Sequence, residues 1–319
     1  MDEFERIAAF FEPLVRSAGA AGLRDDVAEL SLPGPGQSLA ATADALVEGV
    51  HFRPDDPIEG VARKLVRVNV SDILAKGCRP HEALLTLGWP DSRSEGELAR
   101  FASALGAELE AWGASLIGGD TVGALAGLFM SLTLTGLSEG AGVVRRSGAS
   151  PGDEIWLTGE IGWGQLGLEA ALGRAGNGPA GALERYREPA LAPVGVARLV
   201  ARHASASMDV SDGLLADLEK LCAASGVAGH LDAGRVPLAA SQAQFEAALP
   251  QLTGGDDYQV LFTAPPAQRE AIHRVARDSG VRVTSIGRVR EGRALTVHWQ
   301  GERQELPARL GYSHGRAQT

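Results

Sequence analysis

Six aspartates in this 319-residue chain share one local setting: an apolar, β-like run, then a small residue, then the carboxylate. They are Asp44 in "AATAD", Asp72 in "VNVSD", Asp120 in "LIGGD", Asp209 in "ASMD", Asp212 in "DVSD" and Asp256 in "LTGGD"; Asp25-Asp26 in "GLRDDVAEL" adds a seventh site. In α/β architectures the ends of strands converge on ligand clefts, so side chains placed there can meet in space. Carboxylates that meet repel one another unless a divalent cation sits among them. Hard oxygen donors of this kind select Mg2+, Mn2+ or Ca2+. The chain has no HxH, HExxH or paired CxxC that would suit a transition metal. The chemistry such a set points to is metal-assisted handling of phosphates.

An aspartate ahead of a helix also serves as an N-cap, accepting from first-turn N–H groups. That reading stands beside the ligand reading for Asp212 taken alone and for Asp44 before "ALVEGV". It does not cover Asp209 and Asp212 together, because one helix start needs one cap. Nor does it explain Gly118-Gly119 and Gly254-Gly255, where glycine permits unusual dihedrals and a close backbone approach to a ligand. Asp217, on a helix beginning near Gly213, is expected to point to solvent beside Glu219. There is no GxxxxGK[ST] and hence no P-loop. "GWGQLG" at 162–167 matches GxGxxG but has no aspartate closing a second strand about 20 residues later, so it reads as a tight strand-to-helix turn.

These motifs must be positioned by the rest of the chain. Its length suggests about two domains, and 45% hydrophobic with 22% charged residues is enough to bury sizeable cores. A net charge of −10, a pI near 5.3 and the lack of a basic tract exclude a nucleic-acid binder. An acidic protein can still hold anions where metal ions supply positive charge. Cys78 and Cys222 are far apart and read as reduced, structural thiols of a cytoplasmic protein. The start "MDEFERIAAFFEPL" lacks the basic residues of a signal peptide, and "GALAGLFMSLTLTGL" is shorter than a membrane span. The expectation is a soluble chain with no membrane and no nucleic-acid partner.

Helical spacing is expected at the N-terminus (Phe4, Ile7, Ala8, Phe11, Leu14) and over 95–113. "SLAATADALVEGVHF" and "LVRVNVSDILAKG" read as strand-to-helix or strand-to-loop passages, and "ASLIGGDT" as an apolar run stopped by two glycines. A turn-rich stretch places a boundary near 138–150. Beyond it, strands and helices are expected at 154–158, 165–172, 194–203, 205–210, 214–225, 258–263, 267–279 and 281–289, with 173–188 a variable surface segment. "VSDIL" at 70–74 echoes "VSDGL" at 210–214, and "GGD" occurs at both 118–120 and 254–256, a hint of two related halves.

The strings "RDDVAEL", "TADALVEGVHF", "VNVSDILAKGCRP", "LIGGDT", "RSGASPGDEIWLTG", "MDVSDGLLADL", "GGDDYQVLFT" and "GYSH", in this order, resemble the thiamine-monophosphate kinase family. That family belongs to the superfamily that includes aminoimidazole-ribonucleotide synthetase and selenophosphate synthetase. The resemblance implies an α/β (α+β) fold of two-domain aminoimidazole-ribonucleotide-synthetase-like architecture, with mixed sheets and helices on one face. Residues 1–140 would form an ATP/metal-binding and dimerisation domain, and 150–319 a C-terminal α/β domain completing the active site. The implied reaction is ATP-dependent phosphorylation of thiamine phosphate to thiamine diphosphate, by a homodimer. By the same resemblance several Mg2+ ions are held by Asp26, Thr42, Asp44, Asp72, Asp120, Asp209 and Asp212. ATP is met by Gly119, Asp120, Arg146 and Ser211, and thiamine phosphate by His51, Asp256 and Tyr312.

Residue chemistry agrees in kind. Phosphoryl transfer depends on positioning and charge neutralisation, and a phosphate monoester with a second pKa near 6 is already anionic. No acid, base or nucleophile is therefore expected from the protein, and transfer is expected to be direct and in line. The bland alternatives are that His51 is a hydrogen-bonded core histidine, that Arg146 forms a solvated pair with Arg145, and that Tyr312 packs on the surface. An arginine fork does suit phosphate, and an aromatic face suits a cationic thiazolium ring. The chain departs from the family pattern at Arg24, Ala43 and Asp256, in place of glycine, a hydroxyl residue and glutamate, and lacks an arginine after "GGDT". Two other functions remain open: a superfamily enzyme with a different acceptor, and a non-catalytic Mg-nucleotide sensor.

Overall fold

The computed structural model describes residues 3–23, 28–124, 126–174 and 178–312. It forms two compact units, Met1–Ile73 with Cys78–Gly142, and Leu74–Gly77 with Val143–Thr319.

The first unit runs α1 (Glu3–Arg6), β1 (Leu39–Val47), α2 (Ile58–Ala75, its last two residues in the other unit), β2 (Cys78–Pro90), α3 (Glu95–Ala111), β3 (Ser115–Ala124) and β4 (Phe129–Ser138). Its sheet has the order β1-β4-β2-β3. Strands β2 and β3 pair in parallel, which requires a crossover, and α3 supplies it. A capping box starts that helix: Ser94 accepts from the Glu97 N–H while Glu97 reaches back to the Ser94 N–H. One face of the sheet, carrying Leu85, Leu87, Trp89, Leu132 and Leu134, is buried. Trp89 meets Phe101 of α3 with ring centroids 6.0 Å apart. Gly136 lets Ile73 of α2 come so near that a Cβ there would lie 2.5 Å from its Cγ2. The other face stays open, with Ala41, Ala43 and Thr86 exposed beside Leu84, Val122 and Phe129 at 37%, 50% and 40%.

The expected strand in "LVRVNVSDIL" is instead the second half of α2. Val66, Val68 and Val70 are all buried, as are the neighbouring Leu65, Asn69 and Ser71. Its part-exposed residues, Glu59, Arg63, Arg67 and Asp72, form only one narrow line, and the alternating Val66, Val68 and Val70 imitate a strand. Nor do the two glycines stop β3, which continues through Gly118 and Gly119 to Ala124.

The second unit contains β5 (Glu154–Thr158), α4 (Trp163–Ala171), α5 (Ala182–Arg187), α6 (Gly195–His203), β6 (Ala206–Val210), α7 (Leu214–Ser225) and β7 (Ala228–Asp232). There follow α8 (Phe245–Thr253), β8 (Gln259–Ala264), α9 (Arg269–Asp278), β9 (Val283–Arg290), β10 (Thr296–Trp299) and β11 (Glu302–Gln304). The sheet order is β11-β10-β7-β9-β5-β8-β6, antiparallel throughout except for the β10–β7 pair. Its main core joins Leu157, Met208, Val210, Leu261 and Ile286 from the strands to Leu215 and Leu218 of α7 and Phe245 and Leu252 of α8. On the other side Trp156 stacks on Phe262 at 6.2 Å and receives His273 of α9 edge-on at 5.2 Å. Sequence periodicity missed α5, β7, α8 and the β10–β11 hairpin, which are short or carry Gly, His or Pro inside the element. The repeated strings do not mark equivalent places: "VSDIL" lies within a helix and "VSDGL" on a strand-to-helix turn, while one "GGD" is in a strand and the other in a loop. No helix among the described residues is long and apolar enough to cross a membrane.

Candidate functional site

In the first unit Thr42 and Asp44 lie two residues apart on β1, so both side chains face the helix-covered side. Thr42 Oγ1 donates to Asp72 Oδ2 of α2 at 2.6 Å. The Asp44 N–H donates to Asn69 Oδ1 at 3.0 Å, and Asn69, wholly buried, is itself oriented by its amide donating to Leu65 O at 2.9 Å. Asp44 thus sits inside a strand and caps no helix, and Asp72 sits on a helix and not at a strand end. Asn69 gave no sequence signal, because its role depends on which strand packs against the helix.

Asp120 is placed differently. The register runs Asp44–Leu132–Leu85–Gly119 across the four strands, while Asp120 shares its row with Thr86, Ser131 and Ala45. Asp120 is therefore exposed on the open face, and β3 lies three strand spacings, roughly 14 Å, from β1. Gly119 has φ 154°, and a Cβ there would fall 1.9 Å from Leu85 O. Its bareness is needed for the contact with β2. His51 follows β1; its Nδ1 accepts from the Val47 N–H at 3.0 Å, which leaves the neutral ring's proton on Nε2. The buried Lys64 ammonium donates to His51 O at 3.0 Å.

In the second unit one turn gathers most of the expected residues. Strand β6 ends at Val210, Ser211 and Asp212 turn, and α7 starts after Gly213 with no side-chain cap. Asp212 is thus not a helix cap. The turn's amides go to Asp217 instead, whose Oδ2 accepts from the Ser211 and Asp212 N–H groups, both at 3.0 Å. Asp217 is 0% exposed, contrary to the expected solvent position. Burial pushes its carboxyl above the usual range, against the opposing pull of Lys220. Lys220 Nζ, one helical turn on, donates to Asp217 Oδ1 at 2.7 Å and to Asp212 Oδ2 at 2.5 Å. Asp209, buried on β6, alternates with Met208 and Val210 and so faces away from the main core. Arg146 is exposed, and its carbonyl accepts from Ser225 Oγ at 3.0 Å.

Two further segments fasten onto this turn. The Asp256 N–H donates to Ser211 O at 2.9 Å and the Tyr258 N–H to Val210 O at 2.8 Å. Asp256 and Tyr258 both hold positive φ (66° and 50°), and Tyr258 Oη donates to Asp256 Oδ1 at 2.9 Å. Non-glycine residues in that region persist only where their surroundings over-determine them. From the far end of the chain the Tyr312 N–H donates to Asp212 O at 2.8 Å. Between Asp256 and Tyr258, Asp257 turns inward and accepts from the Gly162 and Gly164 N–H groups at 2.8 and 3.1 Å. Burial pushes its carboxyl up to about 7. The GxGxxG pattern is thereby accounted for: its amides serve Asp257, and a Cβ on Gly164 would meet Gly255 O at 2.1 Å.

The structure brings together Thr42 with Asp72, and Ser211 and Asp212 with Asp256 and Tyr312. It separates Asp44 from Asp120 by face, and Asp26 lies outside the described residues. Among the described residues no three His, Cys, Asp or Glu side chains converge closely enough to hold one metal ion. The donor set nevertheless fits a hard cation, being hydroxyl and carboxylate oxygen throughout. An ammonium already stands against Asp212.

Residues 24–138 match the family model "AIR synthase related protein, N-terminal domain", and residues 150–300 its C-terminal counterpart. A thiamine-monophosphate kinase of Caulobacter vibrioides is 38% identical, over 98% of this chain and 91% of that protein. The crystal structure of thiamine-monophosphate kinase from Stenotrophomonas maltophilia K279a superposes with a TM-score of 0.77 at 34% identity, covering 88% of this chain and 90% of that one. AaThiL complexed with AMPPCP and TMP does so with a TM-score of 0.74 at 29% identity, covering 88% and 89%. The fold is that of the two-domain AIR-synthase architecture, and with a near-full-length relative at this identity the chain belongs to the thiamine-monophosphate kinase family.

Proposed function

We propose that this chain transfers the terminal phosphoryl group of ATP to thiamine phosphate, yielding thiamine diphosphate and ADP. Its relatives' names and a structural neighbour holding AMPPCP and TMP support that reading. One observation carries it. Ser211, Asp212, Asp256 and Tyr312, which the resemblance assigns to nucleotide, metal and acceptor, are tied to one turn by backbone hydrogen bonds of 2.8–2.9 Å. Residues that serve three ligands of one reaction belong within reach of one another.

The chain's part is to bind and align. Gly119, Asp120, Arg146 and Ser211 are the proposed ATP contacts; His51, Asp256 and Tyr312 are those for thiamine phosphate. Bound magnesium would neutralise the two polyanions, with Thr42, Asp44, Asp72, Asp120, Asp209 and Asp212 as oxygen donors and Asp26 as the donor outside the described residues. Because the acceptor oxygen is already anionic near neutral pH, no side chain has to remove a proton. The transfer is direct and in line, without a phosphoenzyme.

A homodimer accords with the open face of the first sheet, where Leu84, Val122 and Phe129 offer apolar surface suited to a second copy. The two buried thiols, Cys78 and Cys222, accord with a reducing, cytoplasmic setting. Incubating purified protein with ATP, Mg2+ and thiamine phosphate tests the reaction, with thiamine diphosphate and ADP quantified by chromatography. Equimolar products are expected. ADP formed only with another phosphate or carboxamide acceptor would assign a different superfamily reaction, and ATP binding without turnover would make the protein a sensor.

A further inference from the structure

Asp212, a proposed metal ligand, already has a cation. The Lys220 ammonium lies 2.5 Å from its Oδ2 and 2.7 Å from Oδ1 of Asp217. It is held there from two directions. Asp217 and Lys220 are three residues apart on α7 and so share a face. The other oxygen of Asp217 is occupied by the backbone of the very turn that carries Asp212. Asp217 thus links the ammonium to the Ser211–Asp212 backbone and fixes the direction in which the Asp212 carboxylate points. Two carboxylates and one ammonium leave a net charge of −1. A divalent ion added without moving the lysine would stand next to a like charge. The lysine can leave, since its side chain is 41% exposed and its stem flexible.

We propose that Lys220 is the resident counter-ion of Asp212: it holds the carboxylate in a fixed orientation when no metal is bound and is the group a divalent ion must displace. Lys220 is then a positioning residue that sets the threshold of metal binding. This inference rests on the reading of Asp212 as a metal ligand. It also gives the buried Asp217 a task, since without that anchor the ammonium would be a solvated surface charge.

The test is direct Mn2+ binding to the nucleotide-free protein, followed by the paramagnetic resonance signal of free Mn2+, for wild type, Lys220→Met and Asp212→Asn. The difference between wild type and Asp212→Asn isolates the ions that need Asp212. Lys220→Met is expected to bind those ions about fivefold more tightly, the factor that corresponds to removing a part-exposed ion pair of about 1 kcal/mol. Lys220→Arg is expected to stay at the wild-type value. A purely structural lysine would instead weaken binding or leave it unchanged, and either result overturns the proposal. If wild type and Asp212→Asn bind alike, the ligand assignment of Asp212 fails instead. Should Lys220→Met not fold, because a buried carboxylate is left uncompensated, Asp217→Asn with Lys220→Met carries the same expectation.

Discussion

Gly255→Ala is the sharpest probe of the clasp between the 254–258 loop and the Asp212 turn. Gly255 is not among the positive-φ residues, so alanine meets no conformational objection there and the whole effect is steric. Its Cβ would lie 2.5 Å from Ser211 O and 3.6 Å from Asp212 Cα, against an ordinary contact of 3.4 Å or more. Loop and turn would have to part by about 0.9 Å. Both sides are tied by the Asp256-to-Ser211 and Tyr258-to-Val210 hydrogen bonds, so the strain falls on those bonds and on the side chains beside them. Overpacking of this kind costs about 1–3 kcal/mol, a drop of roughly 2–12 °C in melting temperature for a body of this size. If Ser211, Asp212 and Asp256 align ATP against the acceptor, a displacement near 1 Å lowers kcat/KM by about 100-fold. The assay is thiamine diphosphate formation per folded molecule, with melting followed by calorimetry. Gly142→Ala is the control, because a Cβ there meets nothing within 4 Å. A Gly255→Ala variant that melts lower yet keeps wild-type kcat/KM would refute the view that this turn is part of the site. One that also melts normally would refute the contact.

Two other predictions concern stability and assembly. Asp257 titrates at about 7 in the fold and near 3.8 when exposed, so the folded state holds a proton that the unfolded chain releases; the stability contributed is present at low pH and lost as pH rises from about 4 to about 7. Asp257→Asn removes that dependence, and the difference in urea unfolding free energy between pH 5 and 7.5 is expected to shrink by about 2–3 kcal/mol; an unchanged difference would show that Asp257 is already ionised at pH 5. Phe129→Glu places a charge on the open sheet face, and a two-fold dimer through that face would bury it twice. Light scattering is expected to report a dimer for wild type and a monomer for the variant, and a wild type that is monomeric at every concentration would remove the second copy from the proposal.

How much of this was legible beforehand can be judged residue by residue. Composition and motif chemistry pointed to the kind of site proposed for the chain: oxygen donors without histidine or cysteine clusters, glycine–aspartate strings, and an acidic chain that would need cations to meet phosphates. The strand–turn–helix around Asp212 was legible too, because an apolar run ending in Val-Ser-Asp-Gly before a helical run is a local pattern. Partnership was not. Asp217 looked like a solvent-facing residue of an amphipathic helix, yet it is buried under the turn it holds. Asp72 seemed to end a strand, because the alternating Val66, Val68 and Val70 imitate one on a helix that leaves only a narrow line open.

Asp44 and Asp120 followed the same local pattern and ended on opposite faces of one sheet. The residue types and their local order, and with them the chemistry, belong to the sequence itself. Periodicity reports only how one element presents its sides. Which face Asp44 shares with Asp72, and which ammonium reaches Asp212, follow from strand register and helix docking between distant segments. Those are properties of the packed chain, and no window of the sequence contains them.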